Sequence, residues 1–261
     1  MGSNGVKKNQ SVGKLIDIIE VMATYGESIR INELAEILDM ATATVYRFLI
    51  TLVDRGYVKK DEENSKYFLT LKLKYFADQI NDNTNLSHIV QPYLKQLAEM
   101  TGETTSLVIM EDNMAVYINK YDGPKRMVGS LQRIGKRAPL YCTGVGKLFL
   151  ADMTSDERFE ALEKSRPFEK LTQNTIVETE LIRLELEKVK FEQISYDNEE
   201  CEVGAKCIAA AIRDYSGKVV AAISISGPTT RMTSDKLKVF KTELTSVCIE
   251  ISSILGYIEK V

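Results

Sequence analysis

Hydrogen-bond donors are concentrated between residues 42 and 66 of the sequence. Thr42, Thr44 and Arg47 fall within one short stretch, which is followed by Lys59, Lys60 and Lys66. An arginine can donate two hydrogen bonds to one planar acceptor, while lysine and threonine donate to anionic oxygens. A set of this kind suits contacts to phosphate groups and to the edges of nucleic-acid bases.

The elements around these donors are predicted from apolar spacing and turn residues. A short helix after Ile31 meets a tight turn at Asp39-Met40, and a second helix begins at Thr42. A two-stranded ribbon then turns at residues 61–64, which read Asp-Glu-Glu-Asn. This order is a winged helix-turn-helix, whose second helix commonly enters the major groove of DNA.

The periodicity also predicts which residues these helices bury. Ser11 begins a first helix, and Asn32 is expected to cap the second. The predicted core faces are Leu15, Ile16, Ile19 and Met22 in the first helix, Leu34, Ala35 and Leu38 in the second, and Val45, Phe48, Leu49 and Leu52 in the third. Arg47 would then lie on the solvent side of the third helix.

Charge gives only local support for nucleic-acid binding. The chain carries a net charge of −3, and residues 1–75 hold 11 Lys and Arg against 10 Asp and Glu, a net of +1. DNA affinity must therefore come from a localised patch, for which Arg55 and the three wing lysines are available beside Arg47. The near-neutral charge also leaves open a winged helix that contacts proteins.

The sequence argues against an enzyme and against a metal site. Its one histidine, His88, makes a Ser-His-Asp or Cys-His catalytic arrangement a poor fit. The four cysteines match no zinc-binding spacing, and we predict no catalytic residue, metal or cofactor. No apolar run approaches the roughly 18 residues of a membrane helix, and no secretion signal begins the chain, so we expect a cytoplasmic protein.

The chain of 261 residues is long enough for about two domains. We predict a disordered leader (1–10), a winged helix-turn-helix domain (11–71), a linker helix (72–85) and a second domain (86–261). Residues 71–81 read as a helix with Leu73, Phe76, Ala77 and Ile80 on one face, and the polar run 81–85 marks the boundary. The chain has no evident internal repeat.

The second domain is predicted to be α+β with an antiparallel sheet, because helical and strand patterns alternate through it. The expected helices are 86–100, 144–152, 181–191 and 234–257, and Leu184 and Val189 would face inward from the third of them. The expected strands are 104–110, 114–121, 206–214 and 218–226, the first two joined by an Asp112-Asn113 turn.

Gly144-Val145-Gly146-Lys147 does not fit a nucleotide-binding loop. That motif needs a glycine and a hydroxyl where this chain has Tyr141 and Leu148. The stretch is either a tight helix start or a site for a small anion, because unpaired N–H groups at a helix N-terminus attract carboxylates.

Several stretches in the same order resemble the IclR family of bacterial transcriptional regulators. The sequence TATVYRFLITLVDRGYV is similar to that family's recognition helix and first wing strand. Three later stretches, at 138–151, 196–214 and 219–233, are similar to the signatures of its effector domain. The resemblance covers the chain from about Ser11 to its end.

The resemblance implies a function and a set of partners. It implies a homodimer or a dimer of dimers that binds a palindromic operator in double-stranded DNA, most simply as a repressor. It further implies a GAF-like C-terminal domain in which a small carboxylate effector tunes DNA binding. An alternative is a sensor or enzyme-like domain whose winged helix mediates protein contacts.

The resemblance also assigns residues to both sites. Together with the donors described above, it points to a DNA-binding set of Thr42, Ala43, Thr44, Tyr46, Arg47, Lys59, Lys60 and Lys66. Family members often carry proline and serine where this chain has Ala41 and Ala43, so one possible hydroxyl contact to DNA is missing. The effector-binding set it implies is Leu140, Gly144, Val145, Asp197, Cys207, Ser224 and Ser226.

Overall fold

The computed structural model describes residues 9–79, 86–124 and 134–258, and it describes side chains only up to Tyr75 in the first range. The chain divides into two compact units, Met1–Thr84 and Asn85–Val261. The predicted boundary run at 81–85 and most of the predicted leader lie outside the described residues. The finer division into a DNA-binding domain of 11–71 and a linker of 72–85 therefore stays a prediction.

The first unit is a winged helix-turn-helix, as the sequence predicts. Its core joins the helices to the ribbon through residues such as Leu34, Val45 and Tyr67. Its elements, in chain order, are α1 (Gln10–Tyr25), α2 (Ile31–Ile37), α3 (Thr42–Asp54), β1 (Val58–Lys60), β2 (Tyr67–Leu69) and α4 (Lys72–Gln79).

The start and the buried face of α1 differ from the prediction. Asn9 caps the helix by accepting from the N–H groups of Ser11 and Val12, so Gln10 is already helical instead of part of a leader. Ile18 is completely buried, whereas Ile16, which was predicted to face the core, is 48% exposed. The i, i+4 pair Ile18 and Met22 defines the core face.

The cap of α2 was also predicted wrongly. Arg30 occupies the N-cap position, and its N–H donates to Glu33 Oε2 at 3.1 Å, so Asn32 lies inside the helix. The predicted turn before α3 is present, and Asp39 adopts a left-handed φ of 49° there. α3 then buries Val45, Leu49 and Leu52 as its spacing predicts.

The ribbon after α3 is short and closes with a polar turn. Val58 pairs with Leu69 and Lys60 with Tyr67 in antiparallel register. Asp61 holds the turn, because its carboxylate accepts from Glu63 N–H and from the Asn64 amide. After the ribbon, Lys72 of α4 donates to the Arg55 carbonyl at 2.7 Å and so joins the start of α4 to the end of α3.

The second unit is built on one antiparallel sheet of six strands in the order β5-β4-β3-β8-β7-β6. Its elements are α5 (Leu86–Thr101), β3 (Thr104–Glu111), β4 (Met114–Tyr121), β5 (Arg137–Pro139), α6 (Gly144–Asp152), α7 (Ser155–Lys164), α8 (Thr179–Glu192), β6 (Ile194–Asn198), β7 (Ala205–Arg213), β8 (Val219–Pro228) and α9 (Ser234–Ile254). The predicted strands and helices are present, while β5, α7 and β6 were missed.

Helices cover both faces of this sheet. α5 and α9 pack on the face that carries Leu107, Ile208 and Ile223. α6, α7 and α8 pack on the opposite face, which carries Val108, Ala209 and Ala222 and is called the inner face below. In α8 the buried residues are Ile182, Leu186 and Val189, so the inward position predicted for Leu184 is wrong; its side chain is 49% exposed.

Candidate functional site

One face of α3 is open to solvent in its own unit. Thr42, Ala43, Tyr46 and Arg47 are exposed, and Thr44 is partly buried. Within the described ranges, no ion pair or side-chain hydrogen bond engages the Arg47 guanidinium. The predicted arginine is therefore displayed outward, on a helix whose other side is anchored in the core.

The first turn of α3 adds backbone donors to this face. Ala41, the N-cap residue, has no side chain that could accept a hydrogen bond, and its carbonyl accepts from Thr44 and Val45 N–H. The N–H groups of Thr42 and Ala43 have no acceptor among the residues described. Free N–H groups at a helix start favour an anionic oxygen.

The wing brings the predicted lysines next to α3. Lys59 and Lys60 follow the buried Val58 on β1 and are exposed, and Lys66 is partly buried just before β2. Lys60 Nζ lies 5.9 Å from the centre of the Tyr67 ring. None of the three is paired with a carboxylate in the part of the chain that the structure describes.

A polar strip crosses the inner face of the sheet in the second unit. Cross-strand partners lie on the same face, so the register defines two rows of side chains. One row, named the serine row, runs from Ser195 through Ala209, Ser224 and Ser106 to Lys120. The next row runs from Asp197 through Cys207 and Ser226 to Thr104.

Three hydroxyls in these rows are buried without a partner. Ser195, Ser224 and Ser226 are 0%, 1% and 8% exposed, and their Oγ atoms make no hydrogen bond to any described residue. Apart from the family resemblance, buried serines such as Ser224 and Ser226 of β8 would be expected to form hydrogen bonds with neighbouring residues, and they do not. An unpartnered buried hydroxyl costs free energy, which a bound polar molecule can recover.

The start of α6 lies directly above these rows. Thr143 caps the helix by accepting from Gly146 N–H at 3.2 Å. A Cβ on Gly144 would lie 2.8 Å from Cys207 Sγ, so only glycine lets the helix approach β7 this closely. Leu140, just before the helix, is fully buried. The structure thus brings together Leu140, Gly144, Val145, Asp197, Cys207, Ser224 and Ser226.

Asp197 is the acidic member of this group. Its Oδ1 accepts from Glu200 N–H at 2.7 Å and from Cys201 N–H at 3.3 Å. Burial raises the pKa of Asp197 to about 7, with a smaller rise from the Glu200 charge, while those N–H bonds and Lys147 act in the opposite direction. The carboxyl group can therefore change its protonation state near neutral pH.

Replacing Asp197 with asparagine should stabilise the protein increasingly as pH rises. Because the folded pKa of about 7 lies above the ordinary value of 3.8, this group makes wild-type stability fall between about pH 4 and pH 7. Asparagine keeps the Oδ1 acceptor and cannot ionise. We expect the gain at pH 8 to exceed the gain at pH 5 by roughly 2–3 kcal/mol, because most of the pKa difference is crossed between these two pH values. Urea denaturation at both pH values measures it, and an equal gain at both would contradict the raised pKa.

A buried ion cluster supports the loop that follows Asp197 and β6. Lys147 of α6 is 1% exposed, and its Nζ lies 2.7 Å from Glu200 Oε1 and 3.1 Å from Glu185 Oε1. In the sequence this lysine stands out only within a glycine-rich stretch that does not fit a nucleotide-binding loop. Ser195, Ser106 and Lys120 were also missed, and the strand register that aligns them could have been read only from paired strands.

Family models match both units of the chain. The model described as IclR helix-turn-helix domain matches residues 11–62, and the one described as Bacterial transcriptional regulator IclR C-terminal matches residues 78–253.

The chain belongs to the IclR family.

Curated relatives and solved structures agree with this IclR assignment. The HTH-type transcriptional regulator KdgR of Escherichia coli is 35% identical over 96% of this chain and 95% of its own. The HTH-type transcriptional repressor AllR of Salmonella typhi is 29% identical over 96% of this chain and 91% of its own. The crystal structure of Thermotoga maritima IclR matches with a TM-score of 0.62 at 29% identity, over 95% of this chain and 99% of that one.

The family settles the broad role of the chain. Like its IclR relatives it is a DNA-binding transcriptional regulator and not an enzyme. The alternative in which the winged helix serves only protein contacts finds no support among these relatives. In the described part of the chain, no helix is both long and apolar enough to span a bilayer, and no cluster of metal-binding side chains occurs.

Proposed function

We propose that this regulator acts as a repressor whose affinity for a palindromic operator is tuned by a small carboxylate. The carboxylate binds between α6 and the inner face of the sheet. AllR, a relative of similar length, is named as a repressor. A homodimer, or a dimer of two such dimers, would present two copies of α3 to the two halves of the operator.

The DNA contacts follow from the chemistry of the exposed face of α3. Arg47 reads a base edge or clamps a phosphate, and Tyr46 flanks it. Thr42, Ala43 and Thr44 bring the helix start against a phosphate, where Ala43 contributes only its backbone N–H. Lys59, Lys60 and Lys66 contact phosphates through the wing, which positions the protein without reading sequence.

The observation that carries the effector proposal is the pair of unpartnered hydroxyls on Ser224 and Ser226. They face the start of α6, where the N–H of Val145 has no acceptor among the residues described. Together these donors suit a carboxylate, Asp197 can accept from a hydroxyl of the ligand, and Leu140 supplies an apolar wall. The domain that holds them is GAF-like in this proposal.

Titration with carboxylic acids tests this function on the full chain. Acids that bind are found by thermal shift among 2-oxo acids, sugar acids and aromatic acids, and each is then added to a gel-shift assay on operator DNA. Effector binding should change DNA affinity by about 1–3 kcal/mol, since a ligand acts only through its different affinities for two states. DNA affinity that ignores every acid that binds would overturn the proposal.

Replacing Ser224 with alanine should separate ligand binding from folding. The hydroxyl makes no hydrogen bond to the described residues, so its removal leaves no group unpaired and should change the unfolding free energy by less than about 0.5 kcal/mol. The thermal shift by the acid identified above should shrink strongly in the variant. A variant that unfolds easily, or one that binds the acid as wild type does, would contradict this role.

A further inference from the structure

Lys120 stands at the far end of the serine row and belongs to neither predicted site. It pairs in register with Ser106, which pairs with Ser224. Its neighbour Asn119 donates to the Ser87 carbonyl on α5, so Asn119 is on the outer face and Lys120 on the inner one. The structure thus puts a cation on the same face as the unpartnered serines.

The Lys120 ammonium group lies close to the row of side chains that runs from Asp197 to Thr104. Lys120 Nζ lies 3.0 Å from Asp122 Oδ1, and Thr104 Oγ1 approaches the same oxygen at 3.5 Å. Thr104 in turn pairs with Ser226. An ammonium carries three N–H donors, and in the described chain Asp122 is the acceptor for one of them. Asp122 therefore orients the cation and leaves donors for a ligand.

The N-terminus of α6 and the Lys120 ammonium group are two positively charged groups, and the serines of the serine row lie between them. α6 begins above Cys207 and Ala209 of β7. Lys120 lies on β4, three strands away, and Asp122, which accepts from its ammonium group, also lies close to Thr104 of β3, two strands away. Two to three strand spacings are about 10–14 Å. A hydrogen bond of about 2.9 Å at each end leaves about 4–8 Å between the outer oxygens of the ligand, which corresponds to a dicarboxylate of about three to six carbons.

The other buried lysine cannot supply this charge. Lys147 is engaged by the Glu200 and Glu185 carboxylates. Asp197 adds a further acidic group beside the helix start, so an anion that enters needs a cation of its own. Lys120 is a lysine of the inner face that remains partly accessible, with its side chain 26% exposed.

We infer that Lys120 binds the second acidic end of the effector, which is a hydroxylated dicarboxylate of about three to six carbons. This rests on the proposed function: the first carboxylate is bound at the start of α6, and the hydroxyls of the ligand meet Ser224, Ser226 and Asp197. Lys120 acts as a specificity residue that separates diacids from monoacids of the same length.

Three four-carbon probes with matched stereochemistry test the inference: L-tartrate with two carboxylates, L-threonate with one, and L-threitol with none. Calorimetric titration of the full wild-type chain should show tartrate binding at least about tenfold tighter than threonate, since a charge-assisted hydrogen bond is lost with the second carboxylate. In Lys120→Met the two acids should bind equally. Lys120→Arg should keep part of the preference.

Lys206 provides a matched control. It is a partly buried lysine of the same sheet, and it alternates with Cys207, so it lies on the outer face. Lys206→Met should keep the wild-type preference, and its loss there would overturn the role of Lys120 in favour of a general charge effect.

The failures of the two proposals are distinguishable. If wild type prefers threonate to threitol but does not prefer tartrate to threonate, the inference fails and the carboxylate site stands. A preference for tartrate that survives in Lys120→Met also overturns it. If threonate binds no better than threitol and tartrate does not bind, the carboxylate site itself fails for this class, and the inference fails with it.

Discussion

Replacing Lys147 with methionine is expected to lower the free energy of unfolding of the second unit by about 3–5 kcal/mol, because it leaves a buried carboxylate without its partner. Burial alone would lower the pKa of Lys147, but the Glu200 and Glu185 charges outweigh it and the pKa is raised. Burial raises the pKa of Glu200, and Lys147 opposes that rise. The lysine thus opposes the neutralisation of Glu200 that burial favours.

Urea denaturation followed by circular dichroism measures the loss, and a second substitution identifies its cause. Glu200→Gln added to Lys147→Met removes the unpaired charge and should recover part of the stability. Lys188→Met is the matched control, because Lys188 is an exposed lysine of α8. A stability loss in Lys147→Met no larger than in Lys188→Met would show that the cluster does not hold the loop in place.

The winged helix-turn-helix could be predicted from sequence because its signals are local. Val45, Leu49 and Leu52 recur at helical spacing and are buried as expected. The antiparallel strands at 104–111 and 114–121 follow from runs of β-branched and apolar residues on either side of Asp112-Asn113, and both turn residues adopt a positive φ. Each of these features is decided by residues close together in the chain.

The wrong predictions concern buried faces and strands that are determined by residues far away in the sequence. Ile16 and Ile18 are both apolar, and only the packing of α2, α3 and the ribbon selects Ile18 for the core. Leu184 lies on α8 among buried neighbours but faces away from α6 and the sheet, with which the buried face of α8 packs. The strand β6 is short and polar, and it forms because Asp197 and Ser195 pair with β7.

The candidate effector site shows the same division. The family resemblance supplied Gly144, Asp197, Ser224 and Ser226, and the structure brings them together across α6, β6 and β8. It could not supply Lys120 or Ser195, because their place in the site depends on strand register across the sheet. A single sequence does not reveal that register.

Replacing Arg47 with alanine is expected to weaken operator binding by about 1–3 kcal/mol, which is about 5- to 150-fold. The side chain is exposed and unpaired in the described part of the chain, so its removal should leave the stability of the first unit nearly unchanged. The operator is obtained by selecting duplexes from a random pool with the wild-type protein, and fluorescence anisotropy then compares the selected duplex with an unselected one.

The wing lysines give the control for this experiment. Lys59→Ala should weaken binding to both duplexes about equally and lower the slope of log affinity against log salt by about 1, because a phosphate contact positions without reading sequence. Arg47→Ala should instead reduce the preference for the selected duplex, because a guanidinium at a base edge distinguishes one base pair from another. If Arg47→Ala keeps both the wild-type affinity and the wild-type preference, α3 is not the helix in the groove. A uniform loss on both duplexes would mean that Arg47 clamps a phosphate, and that the sequence is read by the rest of the helix face.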